Sequence, residues 1–136
     1  MSLQLQWTLS AQVTNGPKVV QSQTLEIGAY DEIAVVVPAK SGSATSKLTA
    51  EVQPGGDGQV QFLLIAADPP GPDLAYSINT EQSDASKRIR LDAAVVFLIG
   101  GALQLLGAAP NKIVFYSDSA AETDIRILVG RKAVSP

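Results

Sequence analysis

Apolar and polar side chains alternate without a break at the start of the chain. Leu3, Leu5, Trp7, Leu9, Ala11 and Val13 hold the odd positions, and Gln4, Gln6, Thr8, Ser10, Gln12 and Thr14 the even ones. A period of two over this length predicts a strand with one face in a core and the other polar. Asn15-Gly16-Pro17 supplies a turn, and a return strand over 18–27 carries Val19, Leu25 and Ile27 on one parity. Past a second turn at 28–31, Ile33, Val35 and Val37 share a face with Val36 opposite, and Pro38 ends the strand. The small polar stretch 39–46 reads as a loop, after which Leu48, Ala50 and Val52 alternate again. Pro54-Gly55-Gly56-Asp57-Gly58 then connects to 60–67, a segment apolar on both parities. Such a strand belongs in the middle of a sheet covered on both sides.

Further along, the prolines of 68–73 interrupt any ladder, 74–79 resumes it, and 80–86 is a polar loop. Ile89 and Leu91 are expected to re-enter the core. The stretch 93–109 has no charge and approaches the length of a membrane-crossing helix. Gly100-Gly101, Gln104 and the β-branched and aromatic first half (Val95, Val96, Phe97, Ile99) assign it to the protein interior instead. It reads as two strands joined at the glycine pair, with a short helix over 102–106 as the competing local choice. Strands over 113–117 and 124–132 complete the chain, the last alternating Ile125, Ile127 and Val129 with Arg126 and Leu128. About nine or ten short strands separated by turn signals predict an all-β fold. The expectation is one antiparallel sandwich over 1–136, of jelly-roll or Greek-key type, with at most one short helix.

Composition then removes chemistry. The 136 residues include neither His nor Cys, so imidazole relays, thiol nucleophiles, disulfides and His- or Cys-ligated metals are excluded. A net charge of −3 opposes a nucleic-acid partner, which requires a positive field. Lys87, Arg88 and Arg90 form the one basic cluster and read as the solvated start of a strand, with no aromatic side chain among them to stack on bases. The first residues have neither a basic segment nor a continuous apolar run, so no cleaved secretory leader is expected and the compartment stays open.

Catalysis would have to use carboxylates, Lys, Ser, Thr or Tyr. Asp31, Glu32, Asp57, Asp68, Asp73, Asp118, Glu122 and Asp124 read as turn residues; a two-carboxylate glycoside hydrolase is the enzyme class they exclude least. Asp118, Glu122 and Asp124 have oxygen ligands suited to calcium but match no calcium-loop spacing. Ser41, Ser43 and Ser46 beside Lys47 would need a desolvated amine, and the glycines of 54–58 lack the Lys and helix of a phosphate cradle. No cofactor and no metal is implied. Tyr30, Tyr76 and Tyr116 flank turns and are the candidate contacts for a glycan, whereas Trp7 lies on the apolar parity and reads as core.

The most informative absence is charge at the start of the chain. Only 17% of residues are charged, against roughly 25% in an ordinary domain, and the first charge is Lys18. The polar face of the first strand is therefore Gln4, Gln6, Thr8, Ser10 and Gln12, and Gln21, Ser22, Gln23 and Thr24 extend it. Exposed edge strands usually carry Lys or Glu against sheet-to-sheet association. A neutral face predicts that this strand is central in a sheet or covered by another chain. The expected function is a non-catalytic structural protein, a homo-oligomeric unit of virion-like or other β-rich assemblies. A lectin-like carbohydrate-binding module is the alternative and the hydrolase a remote one; neither nucleic acid nor membrane is expected as a partner.

Overall fold

A computed structural model describes residues 3–52 and 59–132. Ten strands are present among them: β1 Leu3–Gln12, β2 Lys18–Ile27, β3 Ala29–Val37, β4 Ser46–Glu51, β5 Val60–Asp68, β6 Leu74–Ile78, β7 Ile89–Arg90, β8 Val95–Ile99, β9 Lys112–Ser117 and β10 Thr123–Arg131. Two short 3-10 helices, Ala85–Lys87 and Gly100–Leu106, are the only helical turns described. The glycine-rich connection expected at 54–58 lies outside the described residues.

Eight strands form two four-stranded sheets, ordered β3-β10-β5-β8 and β4-β9-β6-β7. All the pairings are antiparallel, and four of them are nested: β3 with β10, β4 with β9, β5 with β8, β6 with β7. This is one long hairpin rolled up so that β10 also meets β5 and β9 also meets β6, the winding of a jelly roll. The inward parities close the core: Leu63, Ile65, Ile125, Ile127 and Val129 from one sheet, Leu74, Tyr76, Ile113 and Phe115 from the other. The all-β sandwich predicted from strand spacing is thus the fold.

β5 is interior and covered on both sides, as its two apolar parities predict. Leu63, Ile65 and Ala67 face the main core, while Phe62 and Leu64 lie under a second, smaller cluster. That cluster is roofed by β1 and β2, which form a separate two-stranded sheet. β1 is therefore not a central strand: its sole strand partner is β2, and its other edge is unpaired among the described residues.

Two further expectations are corrected. Ile89 stays exposed on the two-residue edge strand β7, and Leu91 alone of that pair is buried. The stretch 93–109 is one strand followed by a 3-10 helix, the second strand being absent. Gly100 sits at φ +56, a left-handed conformation that takes the chain out of the ladder at low cost only for glycine. Leu103 and Leu106, three apart as a 3-10 turn requires, then pack on the main core while Leu105 points to solvent. Among the described residues no helix is long and apolar enough to cross a membrane.

Candidate interaction surface

β1 and β2 pair over their whole length, from Leu3 opposite Ile27 to Gln12 opposite Lys18. At about 3.4 Å per residue the ten-residue strands make an arm of roughly 34 Å. Its tip is a tight turn in which Asn15 takes φ 63, tolerable for Asn, and the Gly16 amide donates to the Val13 carbonyl at 2.7 Å. Gln12 Nε2 donates to the Gly16 carbonyl at 2.9 Å and holds the turn from one side.

Cross-strand partners share a face, so Leu3, Leu5, Trp7, Leu9 and Ala11 line up with Ile27, Leu25, Gln23, Gln21 and Val19. Only the root of this face is covered. Leu5 and Ile27 are buried on Phe62, with Trp7, Leu25, Leu64, Phe97, Ile99 and Leu128 around them. Trp7 meets Phe97 edge-on with ring centroids 5.2 Å apart, and Phe97 meets Phe62 in the same manner. Gly130 permits the approach: a Cβ there would lie 3.3 Å from both Leu5 Cδ1 and Phe62 Cβ. Next to it the β5–β10 register slips between Gly130 and Arg131, a bulge that ends the regular ladder under the arm. The Gly28 amide donates to the Arg131 carbonyl at 2.8 Å and Arg131 pairs with Asp31 at 2.7 Å, fastening the corner between arm and roll.

Beyond Trp7 the same apolar face has no cover: Leu9, Val13 and Val19 are 58%, 79% and 59% exposed. The opposite face, where Gln4, Gln6, Thr8, Ser10 and Gln12 stand across from Glu26, Thr24, Ser22, Val20 and Lys18, is exposed throughout. The sequence-predicted contact residues thus sit together on one side of a free arm. Odd parity predicts core along the whole arm, and the apolar patch on its other side is exposed instead because only its root meets the second cluster. One signal could have found it: Gln21 and Gln23 occupy the return-strand positions opposite Leu9 and Trp7, where a buried strand would be apolar.

The outer face of the β3-β10-β5-β8 sheet is likewise covered at one end only. Past the arm's root it opens into a groove of about 420 Å³ lined by Ala34, Val36, Ala66, Asp68, Asp124 and Arg126. Asp68 and Asp124 are direct cross-strand partners there, both exposed and without an ion pair among the described residues. These two carboxylates stand at strand ends, not in turns.

The other candidates are dispersed. Tyr30 is exposed, but Tyr76 and Tyr116 are buried, so their rings offer no face to a sugar. Tyr116 instead lies beneath Arg88, whose guanidinium is 3.8 Å from the ring centroid. Lys87 and Arg90 are solvated, as expected of that cluster. Asp118 accepts a hydrogen bond from Thr45 Oγ1, and no group of three carboxylates among the described residues could hold a metal ion. A hollow of about 620 Å³ beside the Gly100–Leu106 helix is lined by Val60, Gly101, Leu103, Gln104, Ala108 and Pro110 among others, with no charged side chain. No protein-family model, curated protein or solved structure matches the chain.

Proposed function

We propose that this chain is a non-catalytic structural subunit that self-associates through its β1–β2 arm, a unit of a β-rich shell, ring or fibre. The observation that carries this reading is an arm surplus to the roll. Eight strands already close both sheets, and the arm joins neither, yet it extends an apolar face with Leu9, Val13 and Val19 in solvent. Exposed apolar surface of this kind marks interaction sites. The arm also lacks the charges that keep free strand edges apart, Lys18 being the only one before Glu26. Jelly rolls serve as coat subunits and as lectins, an analogy of fold that supports the reading without carrying it. Of the two, the lectin-like reading has less support here, with Tyr30 the one exposed ring of its three.

Light scattering of the full chain at micromolar concentration tests the proposal. A defined oligomer is expected, and a 14.2 kDa monomer at every concentration overturns the reading. Replacing Gln4 and Gln6 by Glu places charge on the arm's polar face and is expected to weaken assembly while leaving the β-sheet circular dichroism intact. An unchanged mass would remove that face from the interface.

A further inference from the structure

We infer that the distal apolar face of the arm of one copy seats in the groove on the β3-β10-β5 face of a second copy of this chain. The inference rests on the self-association reading and names its joint. Three observations specify the occupant. First, the groove continues the sheet face that the arm's own root already covers: Phe62 and Leu64 are followed on β5 by Ala66, and Leu128 on β10 by Arg126 and Asp124. The arm's odd-parity side chains are thus complementary to this sheet surface at one end, and the same side chains recur at the other.

Second, both surfaces are open in one and the same molecule. Leu9, Val13 and Val19 are exposed on the arm while Val36 and Val95 are exposed on the sheet face, so folding of a single chain leaves each without the other. Ala34 and Ala66, small and facing outward, hollow the groove enough to admit branched side chains. Third, the groove is net acidic: Asp68 and Asp124 stand side by side, a like-charge pair, and the one cation lining it, Arg126, is shared with Glu32 at 3.8 Å. Lys18, the one charge near the arm's tip, has no anion among the described residues. It stands on the arm's polar parity, opposite Gln12, but at the strand end, where its long stem lets the ammonium reach around to the apolar side. Each copy has one arm and one groove, so the contact repeats from copy to copy and closes a ring or extends a filament.

Two variants separate the halves of the joint, each altering exposed positions so that the roll still folds. Leu9→Glu with Val19→Glu disables the arm; Ala34→Arg fills the groove and places a cation where Lys18 docks. Each alone should run as a monomer with unchanged circular dichroism, and an equimolar mixture should form a dimer of twice the 14.2 kDa chain mass, since one good arm meets one good groove. If wild type assembles but the arm variant or the groove variant still does so alone, or the mixture stays monomeric, the joint is overturned and self-association survives by another surface. If wild type itself is monomeric throughout, self-association fails and the joint with it; capture of a different protein by that monomer's arm would then assign the arm to a foreign partner.

Discussion

Trp7 lies where the arm ceases to be core. Its ring packs edge-on against Phe97, while Nε1 is buried without an acceptor among the described residues. An unmade hydrogen bond at a buried donor costs about 1–3 kcal/mol, so the indole contributes through area and not through its polar group. Trp7→Phe keeps an aromatic ring against Phe97 and removes the orphan donor; its stability in urea should fall within about 1 kcal/mol of wild type, two opposing terms nearly cancelling. Trp7→Ala should lose about 2–3 kcal/mol, because the half-buried ring leaves a partial cavity at the root. A Phe variant as unstable as the Ala variant would show that the N–H is satisfied. Parity alone placed Trp7 on the apolar face. What stands in front of its nitrogen depends on β8, far away in sequence, and no local pattern encodes that.

At the scale of elements, the segment from Thr80 to Arg88 does for one outer face what the arm does for the other. The Tyr116 hydroxyl accepts from the Gln82 amide at 2.8 Å, Arg88 Nε donates to the Gln82 carbonyl at 2.8 Å, and the guanidinium covers the Tyr116 ring. Two carboxylates secure this segment. Glu81 titrates below its usual range because Lys47 donates to it at 2.8 Å and attracts it, with Lys112 adding a smaller pull. Asp84 is lowered by hydrogen bonds from the Ser86 hydroxyl and amide, with Arg88 adding to the effect. A carboxyl whose folded pKa lies below its unfolded one stabilises at neutral pH, and that contribution fades as pH falls below the ordinary carboxylate range and through the lowered value. Glu81→Gln with Asp84→Asn should therefore be less stable than wild type at pH 7 and converge with it in acid, as read by denaturation midpoints. A gap independent of pH would place the effect elsewhere than in these charges. The polar composition of this stretch predicts a loop with a solvated basic cluster, which holds for Lys87 and Arg90. Arg88 differs because β9 brings Tyr116 beneath it.

At the scale of the molecule, the roll and the arm have different relations to stability. The roll buries its own core, whereas the arm is held at its root and free beyond it. If copies join through that arm, folding and association are linked, and unfolding depends on concentration because binding stabilises the state that binds. The thermal midpoint of the full chain should rise as protein concentration increases through the assembly range. In Leu9→Glu with Val19→Glu it should not move, since the roll alone then sets it. A midpoint independent of concentration in the wild type, in the presence of an oligomer, would mean that association does not distinguish the folded from the unfolded chain, and would overturn the linkage.

The sequence by itself determined the strands other than the one expected after Gly100-Gly101, which parity of each is apolar, and that β5 must be covered on both sides. These follow from local alternation and turn chemistry, which act within a few residues. It also determined that β1 has no charge. Tertiary structure decided what that alternation means. Odd parity buries Leu5 and leaves Leu9 in solvent, four residues apart on one face, because the covering sheet ends between them. It also decided that Asp68 and Asp124, distant in sequence, become neighbours, and that 100–106 coils instead of pairing. Each of these depends on where a second segment runs, and the physical reason is common to all: burial and like-charge proximity are relations between elements, not properties of either one.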